Sequence, residues 1–168
     1  MPFEPTHRRA FLAGCAIVAT LPALASCGNA PAHARAKGKF RISKTEAEWR
    51  ADLTREQYYI LRDAGTEYAW SSSLNDEKRE GIYVCAGCDN KIYASAHKYD
   101  SKSGWPSFYQ PHDKGSVKTS VDYVLGYPRT EVHCADCGGH LGHIFSDGPE
   151  PTGERHCING VAMKFIPA

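Results

Sequence analysis

The fold class this sequence predicts is mainly β, two packed antiparallel sheets with short helices at the N-terminal end. Three observations carry it. From Gly81 onward the chain breaks into short β-like runs, at 82–85, 91–94, 117–125, 129–134, 140–145 and 157–165, each bounded by Gly, Pro, Asp or Asn. Ahead of that region stand two capping-box patterns that open helices. The composition, with Gly 15, Pro 10, Tyr 9, Phe 6 and Trp 3, suits strands and turns better than a helical bundle.

The chain has 168 residues, 42% hydrophobic and 23% charged, which fits one globular domain plus an extension. Its net charge is +1 and its basic residues are dispersed, so neither nucleic acid nor an anionic membrane surface is an electrostatic partner. A small or peptidic partner, met by a monomer, is the expectation.

The extension is at the N-terminus. Basic Arg8-Arg9 precede an apolar run from Ala13 to Ala25, broken by Pro22 and followed by Ser26-Cys27. This is the pattern of an export signal over residues 1–27, too short to span a membrane as a mature helix. Arg8-Arg9-x-Phe11-Leu12 resembles the twin-arginine address that exports folded bacterial cargo. Leu24-Ala25-Ser26-Cys27 resembles a lipobox, with Cys27 as a membrane tether, while Ala23-Leu24-Ala25 offers ordinary cleavage. Either way the destination is the bacterial envelope or periplasm. Residues 28–39 are small, basic and aperiodic, a flexible tether before a domain at 40–168.

In the domain, Ser43 is read as N-cap and Glu46 as N3 of a helix reaching about Leu53. Thr54-Arg55-Glu56-Gln57 repeats the device for a helix over roughly 55–63, ended by Gly65 in the left-handed conformation. Residues 66–80 are polar and irregular, anchored by Tyr68 and Trp70.

Within the β region lie Cys85-Ala-Gly-Cys88 and Cys134-Ala-Asp-Cys137, with 45 residues between them. Each pair is a knuckle that turns two sulfurs toward one ion, and four thiolates suit tetrahedral zinc with no open position. A metal held this way clamps two distant hairpins together, so its binding is partly folding free energy. Disulfides or a redox Cys-x-x-Cys are the competing readings, and neither pair opens a helix after a strand.

Of the seven cysteines, Cys157 alone is neither in a Cys-x-x-Cys pair nor inside the export segment, which makes it a candidate nucleophile. Flanking Arg155 and His156 supply the cationic setting that favours a thiolate. If 155–161 is a strand, Arg155, Cys157 and Asn159 share one face. His140 and His143, three apart on a strand, would face opposite sides unless a bulge or turn near Gly142 realigns them. Alone, each histidine reads as a structural hydrogen-bonder, and Trp105, in the rigid Gly-Trp-Pro-Ser-Phe turn at 104–108, reads as core.

Together the motifs resemble the methionine sulfoxide reductase B family, the peptide-methionine (R)-S-oxide reductases, from about Ser43 to Ile166. They are Gly-Thr-Glu at 65–67, Gly-Ile-Tyr-Val-Cys-Ala-Gly-Cys at 81–88, Gly-Trp-Pro-Ser-Phe at 104–108, Cys-x-x-Cys-Gly-Gly-His-Leu-Gly-His-Ile-Phe-x-Asp-Gly-Pro at 134–149 and Pro-Thr-Gly-x-Arg-His-Cys-Ile-Asn at 151–159. The resemblance implies zinc on Cys85, Cys88, Cys134 and Cys137, and Cys157 as the nucleophile that reduces the sulfoxide. It implies His143, His140, Asn159 and Arg155 as the polar groups around the reacting atoms, with Trp105 and Phe145 against the substrate. A thiolate attacking the sulfoxide sulfur pushes charge onto oxygen, which is why donors and an acid are needed there. The product on Cys157 is a sulfenic acid.

Two departures from the family pattern follow. Many members carry a resolving cysteine where this chain has Ser103, and others carry one where it reads Ser71-Ser72-Ser73, so an external thiol, thioredoxin-like or small, is the expected reductant. The residue before the nucleophile is often Tyr and here is His156, which bears on the pocket's pH response. A non-catalytic zinc-knuckle binding module, or a thiol-disulfide oxidoreductase, are the alternatives, separated by sulfoxide turnover and by zinc content.

Overall fold

The computed structural model describes residues 38–168. The expected export signal over 1–27 and all but the last two residues of the expected tether lie outside the described residues. Two helices come first, α1 (Glu46–Asp52) and α2 (Arg55–Asp63). Nine strands follow: β1 (Gly81–Cys85), β2 (Lys91–Ala94), β3 (Lys98–Tyr99), β4 (Ser107–Phe108), β5 (Val117–Asp122), β6 (Arg129–Cys134), β7 (His140–Phe145), β8 (Arg155–Ile158) and β9 (Met163–Pro167). Among the described residues no helix is long and apolar enough to cross a membrane.

The strands form two antiparallel sheets, ordered β2-β1-β9 and β3-β4-β8-β7-β6-β5. A single 3-10 turn at Gly160–Ala162 carries the chain from β8 in the larger sheet to β9 in the smaller. Aromatic side chains weld the two together. Phe108 of β4 stacks on Tyr93 of β2 with ring centroids 4.4 Å apart and meets Tyr83 of β1 edge-on at 5.0 Å. All three rings are fully buried, and each such burial is worth about 1.5–3 kcal/mol. Helix α2 lies against β7 and the 3-10 turn, burying Tyr58, Ile60 and Leu61.

Both helices begin on capping boxes, but the first starts two residues later than the sequence suggests. Its N-cap is Thr45, whose hydroxyl accepts from Glu48 N while the Glu48 carboxylate accepts from Thr45 N. Ser43-x-x-Glu46 and Thr45-x-x-Glu48 are overlapping boxes. The second register lets Lys44 lie over the ring of buried Trp49, 4.9 Å from its centroid. Thr54 and Gln57 cap α2 as expected. Its left-handed C-cap is Ala64, not Gly65. A Cβ at Gly65 would lie 2.3 Å from the exposed Tyr59 ring, which would have to swing aside.

Two of the predicted runs also differ, and two short strands went unpredicted. The 117–125 run stops at Asp122, because the next six residues turn back into β6. The 157–165 run is two strands in different sheets, β8 and β9. Strands β3 and β4, two residues each, are too short for any periodicity to show.

Candidate active site

Strand register places six side chains in one row across the whole larger sheet: Ser120, Glu131, His143, Cys157, Ser107 and Tyr99. Directly opposed residues of antiparallel strands share a face, so this row is the sheet's polar face. The neighbouring row, Thr130, Ile144, His156, Phe108 and Lys98, points the other way. His156 is therefore not a cation beside the thiol, contrary to the reading of its sequence neighbourhood. It is buried, with Nδ1 3.0 Å from Tyr93 Oη and Nε2 3.0 Å from Glu154, and burial lowers its pKa despite that carboxylate.

A β-bulge brings the two other histidines onto the polar face. Val132 pairs with Gly142 and His133 with His140, which leaves Leu141 as the extra residue of β7. The His140 and His143 rings end up 5.4 Å apart, centroid to centroid. Gly142 is required at the bulge, because a Cβ there would sit 2.0 Å from Cys157 O. The Leu141 carbonyl accepts from both the backbone N and the Nδ2 of Asn159, at 2.9 and 3.0 Å. Strand β8 has ended at Ile158, so this pair of bonds, rather than strand alternation, aims Asn159.

Cys157, Trp105, His143, Phe145 and Asn159 line one cleft of about 150 Å³, joined by Arg129 and Thr66. His140 and Arg155 are not among its walls. His140 faces an adjoining cleft of about 360 Å³ that shares His143, Arg129 and Thr66 with the first. Arg155 spans from Asp147, at 2.9 Å through both Nε and an Nη, to the Phe145 ring, 4.4 Å from its centroid. Burial pushes the Cys157 thiol above its ordinary pKa, opposed by Ser103 Oγ at 3.8 Å and by the Arg155 charge.

His140 and His143 are each held by a different buried carboxylate. His140 Nδ1 is 2.8 Å from Glu131, and its Nε2 has no partner among the described residues. His143 Nε2 contacts Asp122, which also receives Arg129 Nη2 at 2.9 Å. Burial lowers the His143 pKa in spite of Asp122. Burial alone would raise both carboxylates, but His140 and Ser120 at Glu131, and His143, Val124 N and Arg129 at Asp122, hold them below their ordinary values.

Glu67 ties the site to the loop after α2. Its backbone N donates to Asn159 Oδ1 at 2.9 Å and its carbonyl accepts from Trp105 Nε1 at 3.2 Å. Its carboxylate accepts from Gly160 N and Val161 N at 2.6 and 2.9 Å. Sequence reasoning assigned no role to Glu67, Asp122, Arg129 or Glu131. The signal was there for the acids, since Asp122 and Glu131 are carboxylates set inside β-like runs.

The two knuckles meet away from this cleft. The sulfurs of Cys85, Cys88, Cys134 and Cys137 all lie within 4.8 Å of one another. Contacts between knuckles are 3.7 Å for Cys85–Cys137 and 3.5 Å for Cys88–Cys134. Tetrahedral thiolates at about 2.3 Å from one zinc would be about 3.8 Å apart, so the residues fit that ion, and no pair is at bonding distance for a disulfide. Asn90 Nδ2 donates to Cys134 Sγ at 3.4 Å, a bond that supports a thiolate ligand.

Comparison with known proteins gives the same answer along the chain. Residues 53–167 match the SelR domain. The "Peptide methionine sulfoxide reductase MsrB" of Leifsonia xyli subsp. xyli is 49% identical over 132 residues, which are 78% of this chain and 95% of that protein. The protein of the same name from Leptospira interrogans is 49% identical over 126 residues, 75% of this chain and 96% of the relative. That of Agrobacterium fabrum is 47% identical over 127 residues, 76% and 94%. With its bulged histidine strand, its four-cysteine cluster and this extent of identity, the chain belongs to the SelR-domain family of MsrB peptide methionine sulfoxide reductases.

Proposed function

We propose that this chain reduces the (R) epimer of methionine sulfoxide in oxidised peptides and proteins, in the bacterial envelope, with an external thiol as reductant. The observation that carries it is the cleft in which the Cys157 sulfur, the Trp105 indole, His143 and Asn159 converge. The substrate methyl packs on Trp105, whose indole is fixed by its bond to Glu67 O, and that contact selects one epimer. The sulfoxide oxygen then points at His143 and Asn159. Arg155 favours the thiolate against the burial that opposes it.

The Cys157 thiolate attacks the sulfoxide sulfur while the oxygen takes up a proton, with His143, backed by Asp122, beside it. The hydroxyl then passes from the substrate sulfur to the Cys157 sulfur as the transient S–S bond and the substrate S–O bond break, which releases methionine and leaves Cys157 as a sulfenic acid. One external thiol attacks the sulfenic sulfur, forming a mixed disulfide and releasing water, and a second thiol regenerates Cys157 as it forms the external disulfide.

Zinc on Cys85, Cys88, Cys134 and Cys137 is structural in this reading, crosslinking the β1–β2 and β6–β7 hairpins. Export rests on the sequence of residues 1–27, and the tether through Cys27 on the lipobox at 24–27. The test is turnover of the separated (R) and (S) epimers of N-acetyl-methionine sulfoxide by wild type and Cys157→Ser. Only the (R) epimer should be reduced, and only by the wild type. Equal turnover of the epimers, or an active Cys157→Ser protein, overturns the reading.

A further inference from the structure

The β5–β6 connection, residues 123–128, has the wrong chemistry for an idle hairpin loop. Such loops draw on polar turn formers. Here the six residues contain no charged side chain, and Tyr123, Val124, Leu125 and Tyr127 are between 47% and 65% exposed. Val121, 59% exposed, and Phe145, 37% exposed, add to the apolar surface around it. The loop is nonetheless built. Gly126 takes a φ of +82° and donates its N–H to Tyr123 O at 2.9 Å. Its two feet, Asp122 and Arg129, pair at 2.9 Å, and Asp122 receives Val124 N at 2.7 Å as well as His143.

A channel runs along each flank of this crest. On one side Val124, Leu125 and Tyr59 wall the cleft of about 360 Å³ that reaches His140 and His143. On the other, Tyr127, Ile144 and Phe145 wall a groove of about 530 Å³, with Arg129 and Glu154 as its charged walls. The first shares His143, Arg129 and Thr66 with the Cys157 cleft, and the second shares Arg129 and Phe145. The first therefore adjoins the place where the sulfoxide sits, while the second, walled by Thr119, Thr130 and Ile144, lies on the opposite face of the sheet and meets the Cys157 cleft only at Arg129 and Phe145. The first channel gives a polypeptide whose oxidised methionine fills that cleft a path out beside Val124 and Leu125 of the crest.

We infer that the 123–127 crest docks large apolar side chains within two or three residues of the oxidised methionine, so that the preferred substrates are apolar polypeptide segments. This inference rests on the function proposed above and specifies its substrate class. Continuity with the Cys157 cleft identifies the occupant as substrate polypeptide. The absence of charge on the crest, in a chain 23% charged, selects apolar flanks over acidic or basic ones. Contiguous exposed apolar surface is a liability unless something covers it. An alternating strand conformation would present residues on either side of the sulfoxide to the walls while its backbone stays in solvent.

The experiment compares two pentapeptides with a central methionine (R)-sulfoxide, one flanked by leucine and phenylalanine and one by serine and asparagine. N-acetyl-methionine (R)-sulfoxide, which has no flanks, is the third substrate. Wild type is measured beside the triple variant Tyr123→Ser/Leu125→Ser/Tyr127→Ser and the single variant Leu125→Ser. Wild type should favour the apolar peptide by about tenfold in kcat/KM, through KM. The triple variant should lose that preference and Leu125→Ser part of it, while both reduce the blocked amino acid at the wild-type rate. No preference in the wild type, or one retained in the triple variant, overturns the inference. A rise in KM for the thiol reductant, with all three substrates slowed alike, would mean that the crest receives a reductant protein, and overturns it too. Failure of the wild type to reduce the blocked amino acid would instead sink the functional reading, and this inference with it.

Discussion

Ser103 Oγ lies 3.8 Å from Cys157 Sγ, at the head of a hydroxyl chain that runs through Ser101, 2.8 Å away, to fully buried Ser107, a further 2.7 Å on. The side chain facing the thiol from the 101–107 segment is thus a donor that can steady a thiolate, and it cannot resolve a sulfenic acid. Among the described residues the other four cysteines form the knuckle cluster, so no second thiol is placed at Cys157.

One turnover with a single equivalent of substrate should therefore leave Cys157 open to dimedone labelling, read by mass spectrometry. Ser103→Cys should abolish the label and give a disulfide between the introduced thiol and Cys157, because the 3.8 Å separation is within easy reach of a bond. A Cys27–Cys157 disulfide in the mature wild type would overturn both the external-thiol step and the lipobox reading.

Arg155→Met should slow iodoacetamide alkylation of Cys157 at pH 7. The guanidinium opposes the burial that raises the thiol pKa, so its loss lets the pKa climb further and lowers the thiolate fraction. Thermal stability should change little, since the partner Asp147 is 64% exposed and such pairs are worth about 0–1 kcal/mol. The alkylation rate against pH is the measurement, and an unchanged profile would remove Arg155 from this role.

Glu67→Ala should lower stability by roughly 1–3 kcal/mol, the usual cost of leaving buried donors unpaired, here Gly160 N and Val161 N. It should also lower kcat, because the same residue's backbone sets Asn159 and Trp105. Glu67→Gln, which keeps one acceptor, should recover part of both. Urea unfolding beside steady-state kinetics checks the pair, and a destabilised variant with full kcat would make Glu67 merely structural.

Stability should fall as pH drops below about 6.5, the ordinary histidine pKa. Burial lowers the pKa of His143 and His156 in the folded state, so in that window the unfolded chain binds protons that the folded one refuses. The loss runs from the unfolded value down to the lowered folded ones. His156→Gln should make the slope between pH 7.5 and 5.5 shallower in urea titrations, and an unaltered slope would show that His156 is not a source of it.

Chelating the metal, or Cys85→Ser, should abolish the cooperative thermal transition, since a structural zinc contributes folding free energy of about 10–16 kcal/mol in small domains. Circular dichroism melts beside metal content measure it. A metal-free Cys85→Ser protein with the wild-type melting temperature would exclude a structural ion.

Strands at 91–94, 129–134 and 140–145 were legible because glycine, proline, aspartate or asparagine marks their ends and β-branched or aromatic residues fill them. The four knuckle cysteines were legible from spacing, which fixes local geometry whatever the tertiary fold. The bulge at Leu141 was legible as a condition that two histidines imposed. What stayed hidden depended on register between strands far apart in sequence. No local pattern brings Asp122 to His143, or Glu67 to Asn159 across 92 residues. The alternation that put Arg155, Cys157 and Asn159 on one face already set His156 on the other, as the structure has it, and only the idea that His156 lends the thiol a cation fails.

Met163 begins β9, inside the hydrophobic core at 5% exposure, and the chain's other methionine is Met1. A thioether is oxidised by reagents that can reach it. A reductase working amid those reagents has, in this domain, one sulfur of the kind it repairs, and keeps it away from solvent. The described domain thus offers another copy no exposed methionine to reduce. Its capacity under oxidative stress goes to the proteins around it instead of to upkeep of its own fold.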